Sequence, residues 1–167
     1  TQYISTRGDA SPKSFTDVLL SGMAPDGGLY VPAQWPQMDM NALKGLSYTD
    51  IAFLVMKPFV GGDIKDDDLK AMINEVYGQN FSHPAIAPLV QLDNDFWVME
   101  LFHGPTIAFK DYALQMLGRL FDYVLTKRNE KVTIVGATSG DTGSAAIEGC
   151  YHSKNINIFI LHPHGRT

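Results

Sequence analysis

The chain has 167 residues, 45% hydrophobic and 19% charged, a balance typical of a soluble globular protein and of about one domain by length. Its net charge of −5 leaves no basic footprint for nucleic acid or an anionic membrane surface. No apolar run nears the ~18–20 residues of a membrane span, the opening TQYISTRGDASPKS lacks the apolar core of a secretion signal, and the single Cys150 excludes an internal disulfide. These features predict a cytoplasmic protein.

Short mixed elements come first. YIST reads as a strand, and SFTDVLLSG as a short helix with Ser14 as N-cap and Gly22 at its end. APDGGLYVP is a turn at Asp26-Gly27-Gly28 leading into a strand bounded by Pro32. SYTDIAFLVMKPF opens with Ser47 and Asp50 at capping-box spacing. DDDLKAMINEVYG starts with acidic residues that suit a helix N-terminus and ends at Gly78, with Leu69, Met72, Ile73 and Val76 as its apolar face.

The pattern changes near residue 84. IAPLVQL and FWVMEL read as two strands joined through a turn at Asn94. A helix follows Lys110, with Ala113, Leu114, Leu117, Leu120, Phe121 and Val124 on one side. KVTIVGA is apolar and β-branched, as expected of a strand buried on both faces. A glycine-rich turn, a helix and a second such strand, INIFILHP, complete a βαβ unit, so a parallel sheet covered by helices is expected.

Two segments bear on chemistry. In GATSGDTGSA, Gly136 to Ala145, the backbone N–H groups at a strand-to-helix junction make a site for phosphate or carboxylate. Gly136, Gly140 and Gly143 allow close approach, and Ser139, Thr142 and Ser144 add hydroxyls. The spacing matches neither G-x-G-x-x-G nor the nucleotide-hydrolase loop. A tight turn capped by Thr142 or Ser139 explains the segment equally well. In FHGPTIAFKDYALQML, Lys110 lies at a helix start in apolar surroundings, where the helix dipole disfavours the ammonium form. Such an amine suits bond formation with a carbonyl, although Asp111 would stabilise the cation, and alone Lys110 reads as a surface lysine with its stem on apolar surface. An anion loop and an aldehyde-seeking amine in one layered domain together fit an aldehyde that carries a phosphate, pyridoxal 5′-phosphate (PLP).

FHGPTIAFKDYA closely resembles the cofactor-lysine motif of the threonine synthase family, PLP enzymes of fold type II, and GATSGDTGSAA resembles that family's substrate-binding loop. YISTRG and SFTDVLLSGMAPDGGLYVP resemble its N-terminal domain. The resemblance covers essentially the whole chain. It implies a small mixed α/β N-terminal domain at 1–83 and the first part of a PLP-binding catalytic domain at 84–167. It further implies that Lys110 is the catalytic, cofactor-bonding lysine, with Phe109 and Asp141 beside the cofactor. Ser139, Gly140, Asp141, Thr142 and Gly143 would bind substrate, with Thr106 and His103 approaching it. The implied reaction converts O-phospho-L-homoserine and water to L-threonine and phosphate, in a cytoplasmic monomer or homodimer. The alternative readings are another fold type II activity, that of a serine/threonine dehydratase or a cysteine synthase, and, from another class, a non-catalytic anion-binding paralogue. Family members are more than twice as long. The chain is therefore expected to be an N-terminal fragment, with the groups for the cofactor's phosphate and pyridine nitrogen beyond residue 167 and weak or no cofactor binding on its own.

The remaining candidates read as structural. His162 and His164 are the only close histidine pair, with no partner residues to complete a zinc set. Cys150 reads as a small buried hydrophobe, and Lys65–Asp68 as a charged helix start.

Overall fold

The computed structural model describes residues 1–8 and 11–165. The chain divides into two compact units, Thr1–Ile73 and Asn74–Thr167.

In the first unit, β1 (Tyr3–Ser5) pairs antiparallel with β2 (Tyr30–Pro32), Ile4 facing Val31. Helices α1 (Phe15–Ser21) and α2 (Tyr48–Val60) pack together, with a short 3-10 helix at Met40–Leu43 between them in sequence. Both helix starts form as their sequences predict: Ser14 Oγ accepts the Asp17 N–H at 3.3 Å, and Ser47 Oγ accepts the Asp50 N–H at 3.2 Å. The Asp26 carboxylate ties its turn to β1, accepting from Ser5 Oγ at 2.8 Å and from the Gly28 N–H at 2.9 Å. A Cβ at Gly28 would lie 2.1 Å from that serine oxygen, so only glycine fits. Helix α3 (Asp66–Gln79), which runs from the first unit into the second, buries Leu69, Met72, Ile73 and Val76 as its spacing predicts, and it runs through Gly78, where the sequence suggested its end.

In the second unit, β3 (Leu89–Asp93) and β4 (Phe96–Met99) form an antiparallel hairpin. Helix α4 (Asp111–Arg128) precedes β5 (Val132–Ala137), α5 (Asp141–Cys150) and β6 (Ile156–Leu161). Strands β5 and β6 are parallel, from Val132 opposite Ile156 to Ala137 opposite Leu161, and α5 is their crossover. The expected βαβ unit is present, within a mixed α/β fold.

Two expectations change. Strands β5 and β6 are not buried on both faces: Val135, Phe159 and Leu161 are 67%, 60% and 64% exposed, while Ile156 is buried and Ile134, Ile158 and Ile160 are half-buried. Burial therefore alternates along both strands, and only one side of the pair is covered. The inner face of α4 is also shifted from the leucine stripe. Asp111, Gln115, Met116 and Gly118 are buried along with Leu120, Val124 and Leu125, whereas Ala113 is exposed and Leu114, Leu117 and Phe121 are half-buried. The reason is a close helix crossing. A Cβ at Gly118 would fall 1.9 Å from the Gly149 carbonyl oxygen, and one at Gly149 would fall 2.4 Å from that of Leu114. The two glycines thus turn a polar and small-residue face of α4 inward.

The C-terminal end of α3 and Asn80, which belong to the second unit, hold the first turns of α4. Tyr77 Oη donates to the Tyr112 carbonyl at 2.6 Å, Asn80 Nδ2 donates to Gln115 Oε1 at 3.2 Å, and Arg119 pairs with Glu75 at 2.8 Å.

Candidate active site

The entry to α4 is a tight turn. The Ile107 N–H donates to the Gly104 carbonyl at 3.1 Å around Pro105. Asp111, fully buried, accepts from the Thr106 N–H at 2.7 Å through Oδ2 and from Thr106 Oγ1 at 2.7 Å through Oδ1. Gly104 lies directly against this carboxylate, since a Cβ there would be 2.5 Å from Oδ2. Asp111 is therefore engaged backwards, with the turn. This answers the doubt raised by the Lys110-Asp111 neighbourhood: among the described residues Lys110 makes no ion pair. Its Nζ lies over the exposed Phe109 ring, 4.5 Å from the centroid.

The glycine-rich loop joins β5 to α5. Gly140 is the N-cap of α5, and no side chain caps the helix. Capping by Ser139 or Thr142, the structural alternative from the sequence, does not occur. The first-turn N–H groups therefore keep their dipole end open to an anion. Gly143 is buried, and a Cβ there would meet Thr138 Cγ2 at 2.9 Å and Ile160 Cγ2 at 3.1 Å, which presses the loop onto the end of β6.

Lys110 and this loop share one cavity of about 250 Å³, lined by Lys110, Thr138, Ser139, Gly140, Asp141 and Thr142. Five residues named from the sequence are thereby brought together: Lys110, Ser139, Gly140, Asp141 and Thr142. Gly143 lines an adjoining cavity of about 360 Å³ behind the loop, with Ile147, Ile160 and His162 among its walls. Phe109 flanks the lysine, and Thr106 is bound to Asp111. His103 stands apart, its Nε2 2.8 Å from Glu100 Oε2 and its ring 4.9 Å from that of His83. Thr138 was missed by sequence reasoning. Its position, the hydroxyl residue directly between the strand and Ser139, was the available signal. Among the described residues no group of three or more His, Cys, Asp or Glu side chains could hold a metal, and no helix is long and apolar enough to cross a membrane.

Comparison with known proteins gives this geometry a context. Residues 2–77 match the family model described as the threonine synthase N terminus. Threonine synthase of Pseudomonas aeruginosa is 59% identical over 169 residues, covering 99% of this chain and 36% of that protein. The chain belongs to the threonine synthase family. Threonine synthase of Schizosaccharomyces pombe is 47% identical, covering 99% of this chain and 34% of that protein. The crystal structure of a PLP-bound threonine synthase from Brucella melitensis superposes with a TM-score of 0.96 at 53% identity, covering 99% of this chain and 36% of that one. This threonine synthase-family chain thus spans about a third of the length of the relatives it matches, and its mixed α/β fold is theirs.

Proposed function

We propose that the intact protein converts O-phospho-L-homoserine and water to L-threonine and phosphate, using PLP held through Lys110. The observation that carries this reading is the shared cavity: Lys110, which makes no ion pair among the described residues, lines it together with a hydroxyl-rich loop and an uncapped helix N-terminus. That donor set fits the group, since an aldehyde needs the amine and an anionic substrate needs the loop. The B. melitensis relative is PLP-bound, which supports the same assignment. Residues 1–83 and 84–167 are the proposed N-terminal domain and first part of the catalytic domain.

Bound PLP supplies an aldehyde and a sink for negative charge developing beside the substrate's amino group. The chain's own residues do the rest. Ser139, Gly140, Thr142 and Gly143 hold the substrate carboxylate, combining hydroxyl and backbone N–H donors at the start of α5. Phe109 and Asp141 border the cofactor. Lys110 moves protons at substrate Cα and Cβ, a general acid–base role consistent with its making no ion pair among the described residues. Thr106 and His103 lie outside the cavity lining, hydrogen-bonded to Asp111 and Glu100, and their approach to the substrate is the least supported part of the proposal. The protein is proposed to act in the cytoplasm as a monomer or homodimer, on a small-molecule substrate.

The test is turnover by the intact protein. Phosphate release from O-phosphohomoserine with matching threonine formation, and no turnover of serine, is the expected result. Equal turnover of serine, or no phosphate release, would refute the assignment.

A further inference from the structure

Three residues before Lys110, Ile107 sits at φ 66°, in the left-handed region that a β-branched side chain rarely adopts. Its side chain is 69% exposed, so burial does not offset the strain. A conformation of this kind persists only where its surroundings over-determine it. Two constraints are visible: the N–H of Ile107 donates to the Gly104 carbonyl at 3.1 Å, and the preceding residue, Thr106, is held at both backbone N–H and Oγ1 by the buried Asp111 carboxylate. Asp111 lies in the first turn of α4 and Gly104 closes over it, so the turn is clamped to the helix that Lys110 begins.

We propose that Asp111 is a positioning residue for Lys110: its carboxylate fixes Thr106, keeps Ile107 left-handed, and so sets where the lysine enters the cavity. The inference deepens the reading of Lys110 as the cofactor amine and rests on it. The clamp works by geometry rather than by charge. An asparagine at 111 can keep both bonds, Oδ1 accepting the Thr106 N–H and Nδ2 donating to Thr106 Oγ1. Alanine keeps neither.

The intact protein and its Asp111→Asn, Asp111→Ala and Asp111→Ala/Ile107→Gly variants decide the matter with two readouts. One is hydrogen exchange of the Thr106 amide without cofactor. The other is the rate at which PLP with borohydride labels Lys110, followed by peptide mapping. D111N is expected to keep both within about twofold, since its hydrogen bonds persist. D111A is expected to lose Thr106 protection and to slow labelling about tenfold or more. Adding I107G, which tolerates the left-handed backbone without strain, restores labelling but not Thr106 protection. Wild-type labelling rates in D111A, a loss in D111N as large as in D111A, or no rescue by I107G would each overturn the proposal. If D111A does not fold, T106V takes its place: slower labelling that I107G restores supports the clamp, and an unchanged rate overturns it. Absence of label on Lys110 in the wild type would refute the functional reading instead, and the Thr106 exchange in D111N and D111A would still decide the clamp.

Discussion

Gly118 of α4 and Gly149 of α5 meet backbone to backbone, so closely that a methyl on either would fall within 2.4 Å of a carbonyl oxygen of the other helix. These are the two helices whose N-terminal ends carry Lys110 and the 138–142 loop. Their crossing holds the candidate site together from behind.

Gly118→Ala or Gly149→Ala is therefore expected to destabilise the fold strongly. Overpacking typically costs ~1–3 kcal/mol, and here the obstacle is main chain that cannot rotate away, so the upper end or more is expected. Denaturant unfolding of the intact protein measures it. A loss below about 1 kcal/mol would show that the helices can separate cheaply.

Gly78 gives the opposite expectation. It lies inside α3, exposed, with nothing within 4 Å of where a methyl would sit and no positive φ. Gly78→Ala should stabilise by about 0.5–1 kcal/mol through helix propensity and reduced unfolded-state entropy. A decrease in stability in the same unfolding experiment would contradict the helix through residue 78.

Local signals in the sequence were legible where one side chain acts on nearby backbone. Ser14 and Ser47 cap the helices their spacing suggested, and Leu69, Met72, Ile73 and Val76 form the apolar face expected of α3. The inner face of α4 was not legible. Periodicity equates burial with hydrophobicity, but Asp111, Gln115 and Gly118 are buried for a hydrogen-bonded turn, an amide contact and a close crossing. The site was legible in part: Lys110 and the glycine-rich loop do meet, yet the bond from Asp111 back to Thr106 reverses the role that mere adjacency to Lys110 suggests.

Tyr3 carries a pH dependence. Burial, and secondarily the negative Asp63, push its phenol above the ordinary tyrosine range, and its hydroxyl donates to the Phe59 carbonyl at 2.8 Å. The folded state thus favours the protonated phenol. Its contribution to stability is complete below pH ~10, the unfolded value, and is lost as pH rises from there through the raised folded value. Tyr3→Phe should flatten that alkaline loss in thermal melts at stepped pH. An equally steep loss in the variant would contradict this role.

Cys150 is buried, and burial pushes its thiol upward while the Arg119 guanidinium pulls the other way to a smaller extent. Little thiolate is then present at neutral pH, so alkylation should be slower than for an exposed cysteine and should accelerate at higher pH. Timed alkylation read by mass spectrometry checks it. Rapid modification at pH 7 would contradict the packing of α5.

Lys110→Ala is expected to abolish threonine formation while leaving the unfolding midpoint close to wild type, because the half-buried side chain makes no ion pair among the described residues and lines a cavity rather than the core. The role of Lys110 can be measured before turnover. The intact protein is mixed with PLP, reduced with borohydride, digested and mapped. A single cofactor-labelled peptide, modified at Lys110, is the predicted result; label on any other lysine, or none, would contradict the account.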